Sequence, residues 1–120
     1  MSLLLKRAGF LFMNRLVKNR ISEISQLCQS CRVDKLWIFG SVNTPAFNDK
    51  SDFDFLVSFE EMDVVDYAEN YFLFVGKLEK LLKRNVDLVT VNSLSNPYFI
   101  KAVEESKSLI YDRQNQEIFI

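Results

Sequence analysis

Two hydrophobic periodicities alternate along this chain, and their order restricts it to a small sheet with helices packed against it. Ile21, Ile24, Leu27, Cys28 and Cys31 recur at spacings of three and four, which predicts an amphipathic helix. Val33 to Phe39 follows as a short buried strand, its Leu36-Trp37-Ile38-Phe39 run continuously apolar, and Gly40 ends it. From Ser41 to Ser51 the turn formers Asn43, Pro45, Asn48 and Asp49 mark a loop, and Phe53 to Phe59 is a second strand. Val64, Ala68, Tyr71, Val75, Leu78 and Leu82 then keep helical spacing through a long helix over residues 63–84. Val86 to Val91, rich in β-branched residues, is a third strand. Asn96 before Pro97 is a helix start, since proline in the first turn needs no amide hydrogen. That helix runs to Ser106, and Leu109 to Tyr111 is a last short strand. The resulting order, α-β-loop-β-α-β-α-β, defines an α/β (α+β) domain on a small mixed sheet flanked by helices.

At 120 residues there is room for one domain. Its expected limits are residues 20–112, with an N-terminal extension over 1–19 and a C-terminal tail over 113–120. The chain contains no histidine, which removes histidine-activated nucleophiles, histidine general bases and histidine-ligated metals. Catalysis here must use carboxylates, lysine, hydroxyls, thiols, or a metal held mainly by oxygen. Fifteen Lys and Arg face sixteen Asp and Glu, which argues against direct nucleic-acid binding through a strongly basic surface. The near balance conceals a segregation. Lys6, Arg7, Arg15, Lys18 and Arg20 precede any acid, whereas every charge from Asp52 to Glu69 is negative.

Cys28 and Cys31 form a Cys-Gln-Ser-Cys at the end of a helical pattern, not at a helix start where thiol pKa values fall, and no second ligand pair accompanies them. They are expected to be core thiols in a reducing cytoplasm. No run of 18 apolar residues is present, and Met1 to Phe12 is interrupted by Lys6, Arg7 and Gly9, so neither a membrane span nor a signal peptide is expected. Met13 stands as an alternative initiator. The apolar Glu117-Ile118-Phe119-Ile120 end is expected to pack on its own domain, and Tyr67, Tyr71, Phe72 and Phe74 to serve core or dimer contacts.

The chemistry concentrates in Phe39-Gly40-Ser41, the ten residues that follow, and Asp52-Phe53-Asp54-Phe55. Alternation along a strand sends Asp52 and Asp54 to one face, about 6.5–7 Å apart, and Phe53 and Phe55 into the core. Two anions so placed repel unless a cation compensates. A hard cation such as Mg²⁺ accepts carboxylate oxygens and keeps positions open for phosphates, and two such ions about 3.5–4 Å apart clamp the attacking and leaving oxygens of a displacement. Asp87 interrupts the apolar run Val86 to Val91, and on a neighbouring strand it would complete a triad. Gly40 permits close approach of a phosphate, and Ser41 offers amide and hydroxyl donors. Taken singly, acids at strand ends also cap turns.

With these residues the sequence resembles the polymerase-beta-type nucleotidyltransferase superfamily, and within it the minimal nucleotidyltransferase (MNT) branch. The pattern is a hydrophobic-Gly-Ser (Phe39-Gly40-Ser41), a loop of about ten residues, Asp-x-Asp (Ser51-Asp52-Phe53-Asp54) and a later strand aspartate (Asp87). The resemblance implies a polymerase-beta-like fold and transfer of AMP from ATP to a hydroxyl with release of pyrophosphate. It implies that Asp52 and Asp54 bind two Mg²⁺ ions, that Asp87 shares the catalytic metal and activates the acceptor, and that Gly40, Ser41 and Ser51 hold the nucleotide triphosphate. It further implies an antitoxin whose partner is a HEPN-type toxin, modified on a tyrosine, in a homo- or hetero-oligomer.

The sequence departs from that pattern in one segment. Relatives place an arginine and a glycine soon after the Gly-Ser, whereas Val42-Asn43-Thr44-Pro45-Ala46-Phe47 holds no cation, and none follows until Lys50. The alternatives to an active protein adenylyltransferase are therefore an antitoxin that neutralises by binding alone, or a transferase acting on a small molecule.

Overall fold

The computed structural model describes residues 17–39 and 52–114. Met13, Gly40, Ser41, Ser51, the segment 42–47 and the end 117–120 lie outside the described residues, as do most of the expected extension and tail.

Helix α1 (Ile21–Ser30) buries Ile24 and Cys28 and leads into β1 (Val33–Phe39). Strand β2 (Phe53–Phe59) precedes the long helix α2 (Val64–Leu82) and then β3 (Val86–Thr90). A 3-10 turn over Val91–Ser93 connects to α3 (Pro97–Ser106) and β4 (Ser108–Asp112). The ends of the helices follow from their local chemistry. The Asp63 carboxylate accepts from the Asp66 N–H at 2.8 Å, and the Asn96 side chain accepts from the Tyr98 and Phe99 N–H groups at 2.9 and 3.2 Å. Each such cap is worth about 1 kcal/mol. The third strand stops at Thr90, one residue before the sequence expectation, because the Ser93 hydroxyl donates to the Thr90 carbonyl and the Leu94 N–H donates back to Val91.

The four strands run in the order β3-β2-β1-β4, with β2 and β3 parallel and the other pairs antiparallel. This is the expected mixed sheet, and its register divides the side chains between two faces. Leu36, Ile38, Phe53, Phe55, Val57 and Leu88 turn to one face and pack with Ile24, Cys28, Phe74 and Leu78 of α1 and α2. The expected core position of Phe53 and Phe55 is thus observed. The opposite face carries a smaller core in which Phe39 and Leu56 pack with Val103 of α3, with Trp37, Val89 and Leu94 around them. Phe39 meets Phe99 edge-on at 6.0 Å between ring centroids.

The buried stripe of α2 differs from the one expected. Val64 is 84% exposed and Ala68 is exposed, whereas Tyr67 and Phe74 pack edge-on against Phe59. In the first turn of α2 the residue that meets the sheet is therefore Tyr67, through Phe59 at the end of β2, and Val64 turns to solvent. Phe72 projects to solvent at 72% exposure. Cys28 and Cys31 are buried free thiols, as their position at the end of a helix implied.

Candidate functional site

Register brings the expected carboxylates together at one end of the sheet. Phe39 of β1 pairs with Asp54 of β2, and Asp54 pairs with Asp87 of β3. Paired residues share a face, so Asp54 and Asp87 lie side by side on the face that α3 partly covers, with backbones about 4.8 Å apart. Asp52 lies one residue before β2, at the position whose alternation matches Asp54, and is exposed. Asp87 is also exposed, and Asp54 is half-buried. Among the described residues no three Asp, Glu or Cys side chains converge closely enough to hold a metal ion. The donor set is nonetheless entirely carboxylate oxygen, which fits a hard cation and fits soft metals poorly.

The site is built against the strand edge. The Phe53 N–H donates to the Asn85 carbonyl at 3.1 Å, so the odd-numbered residues of β3 turn their backbone groups to β2 and the even-numbered ones turn theirs outward. Side chains meet this outward row. The Val86 N–H donates to the Glu79 carboxylate at 2.9 Å, the Leu88 carbonyl accepts from the Tyr71 hydroxyl at 2.7 Å, and the Thr90 carbonyl accepts from Ser93 at 2.8 Å. An edge strand satisfied in this way resists pairing with another chain, and it holds Asp87 in place between two tethered residues. Burial, and secondarily the negative charge of Asp87, pushes the Tyr71 hydroxyl above its ordinary pKa. The sequence reading did not assign Tyr71, Glu79 or Ser93 to the neighbourhood of the site. One signal was present: a tyrosine within a buried helical stripe needs a partner for its hydroxyl.

The fold is that of a nucleotidyltransferase domain. Residues 22–116 match the family described as "Polymerase beta, Nucleotidyltransferase", and the chain belongs to that family. It is 38% identical over 80 residues to MJ1379 of Methanocaldococcus jannaschii, assigned as a protein adenylyltransferase, covering 67% of this chain and 77% of that protein. A solved structure assigned as a minimal nucleotidyltransferase superposes with a TM-score of 0.63 at 27% identity, covering 77% of this chain and 90% of the other. The fold also matches a chain from the complex of a tri-AMPylated Shewanella oneidensis HEPN toxin with its MNT antitoxin. There the TM-score is 0.54 at 21% identity, over 82% of this chain and 74% of that one. The expected resemblance to the MNT branch and the expected fold class are both borne out.

Proposed function

We propose that this chain is a protein adenylyltransferase that transfers AMP from ATP to a tyrosine hydroxyl of a HEPN-type toxin and so acts as its antitoxin. The observation that carries this reading is the in-register pair Asp54 and Asp87, with Asp52 one alternation away, in a member of a nucleotidyltransferase family. The assigned activity of MJ1379 and the AMPylated toxin in the Shewanella oneidensis complex support the choice of donor and acceptor.

In the proposed reaction the acceptor oxygen attacks the α-phosphorus of ATP, the bond from that phosphorus to the bridging oxygen breaks, and pyrophosphate leaves. Asp52, Asp54 and Asp87 would hold Mg²⁺, Asp87 would also take the hydroxyl proton of the acceptor, and Gly40, Ser41 and Ser51 would hold the triphosphate. Bound Mg²⁺ supplies positive charge against the triphosphate and the developing oxyanion. Buried free thiols suit a reducing cytoplasm, and among the described residues no helix is long and apolar enough to cross a membrane. The test is incubation with Mg²⁺, α-labelled ATP and the HEPN-type product of the adjacent gene. Label on the toxin that disappears with Asp54→Asn is the expected result.

A second reading is neutralisation by binding alone. It draws on the cation-free segment 42–47 and on carboxylates that do not gather three together among the described residues. An Asp52→Asn/Asp54→Asn chain that still neutralises the toxin fully would favour it.

A further inference from the structure

The outer side of α2 carries a pattern that the packing of one chain does not use. Phe74 and Leu78 turn inward to the sheet, whereas Asp66, Glu69, Leu73, Lys77 and Lys80, at spacings of three and four, share the outer side. Glu69, Leu73, Lys77 and Lys80 are exposed, and Asp66 is half-buried. Val65, Phe72 and Gly76 flank this stripe and are exposed with it. Large apolar side chains that stand together in solvent mark a contact surface.

Gly76 is a second and independent sign. It stands inside a helix of 19 residues, and a Cβ at that position would meet nothing within 4 Å. Alanine would fit there without strain and would favour the helix, so within one chain the glycine is only a cost. On an exposed helix face, a missing side chain lets a neighbouring helix approach closely.

Charge identifies the occupant. Glu69 and Lys77 lie four residues to either side of Leu73, and Asp66 and Lys80 lie seven. Turned end for end, the helix therefore sets each of these acids against a lysine. None of the four forms an ion pair among the described residues. The helix dipole accounts for Asp66 in the first turn and Lys80 in the last, but Glu69 and Lys77 lie beyond the turns where that field acts.

We propose that this face binds a second copy of the chain, α2 against α2 in antiparallel, about a two-fold axis through Leu73. The two Leu73 side chains meet on the axis. Phe72 of each copy lies two residues, about 3 Å along the helix, from the level of Gly76 in the other, and the absent side chain makes its seat. Glu69 and Asp66 face Lys77 and Lys80 across the seam. A patch that is complementary to itself about a two-fold axis is the commonest form of dimer contact. Exposed ion pairs add little affinity, so the apolar centre holds the copies together and the charges fix their antiparallel direction. Because α2 covers the sheet face opposite Asp54 and Asp87, the carboxylates of both copies stay uncovered.

Sedimentation equilibrium of the full chain between about 1 and 100 μM tests the seam. A monomer–dimer equilibrium is expected. Leu73→Lys, which sets like charges on the axis, should raise its dissociation constant about tenfold or more and leave the monomer folded by circular dichroism. Gly76→Leu should also weaken association while raising the melting temperature of the monomer. Asp66→Lys/Glu69→Lys and Lys77→Glu/Lys80→Glu should each be monomeric alone and should form a heterodimer when mixed, since both ends of the seam are then complementary again. A chain that stays monomeric over the whole range, a dimer that survives Leu73→Lys, or charge variants that do not associate on mixing would overturn the proposal. So would a monomer whose complex with the HEPN-type toxin is lost in Leu73→Lys, which would assign this face to the toxin.

Discussion

Asp54 and Asp87 are paired residues on adjacent parallel strands, and this places two carboxylates on one face with only the strand spacing between their backbones. Neither strand gains stability from the pairing. Like charges directly opposite destabilise a sheet, whereas branched or aromatic pairs at the same spacing stabilise it by a few tenths of a kcal/mol.

Asp87→Asn should therefore separate function from stability. The exposed side chain loses its repulsion with Asp54, so the unfolding free energy should change by less than about 0.5 kcal/mol, with a gain more natural than a loss. Label transfer should fall by about 10²-fold or more, because the variant removes an anion that the proposed chemistry needs at the acceptor. Urea unfolding alongside the labelling rate checks both halves.

The Tyr71 hydroxyl bonds to the carbonyl of Leu88, the residue after Asp87. Tyr71→Phe keeps the ring and removes the tether, at a cost of about 0.5–1.5 kcal/mol. The raised pKa of Tyr71 sets the sign of its pH dependence: its folded state favours the protonated hydroxyl more than the unfolded chain does. Its contribution is fully present below about pH 10, the ordinary tyrosine value, and is lost as pH rises through the higher folded value. Tyr111 is shifted in the same direction, chiefly by burial. The melting temperature should hold up to about pH 10 and fall above it, less steeply for Tyr71→Phe than for the parent chain, with Tyr111 contributing to the fall that remains.

How much of this was legible in the sequence depends on which physics was local. Each strand and helix declared itself through its period, Asn96-Pro97 marked a helix start, and the alternation Asp52-Phe53-Asp54 divided acids from core within one strand. Asp87 stood out because nothing apolar explained it. What was not legible belongs to tertiary placement. Val64 and Ala68 keep the helical period yet are exposed, while Tyr67 beside them packs on Phe59. Trp37, Phe39 and Leu56 could not be assigned a second core until α3 lay over them. The edge tethers from Tyr71, Glu79 and Ser93 unite residues whose spacing along the chain carries no pattern.

Burial pushes the Cys28 thiol far above its ordinary pKa, with the neighbouring Cys31 adding to the shift, so almost no thiolate forms in the native state near neutral pH. A disulfide-exchange reagent at about pH 8 should leave Cys28 unmodified until the chain unfolds, in contrast to the rapid reaction of an exposed thiol. Cys28→Ser should destabilise by about 1–3 kcal/mol through a hydroxyl placed in an apolar core, and Cys28→Ala by less. Reagent kinetics with and without denaturant, together with unfolding curves, test this.

Lys83 closes the long helix α2 from a left-handed backbone. Its left-handed φ of 55° costs a non-glycine residue about 1–2 kcal/mol. Glycine would relieve that strain, but it also increases the entropy of the unfolded chain and removes a cation from the negative end of α2, a loss of about 0.3–1 kcal/mol for the second term alone. The balance for Lys83→Gly is a small gain, about 0.5 kcal/mol, where most substitutions in a folded domain lose stability. Calorimetric unfolding of this variant beside the parent chain checks it: a loss of more than about 1 kcal/mol would show that the left-handed lysine carries little strain.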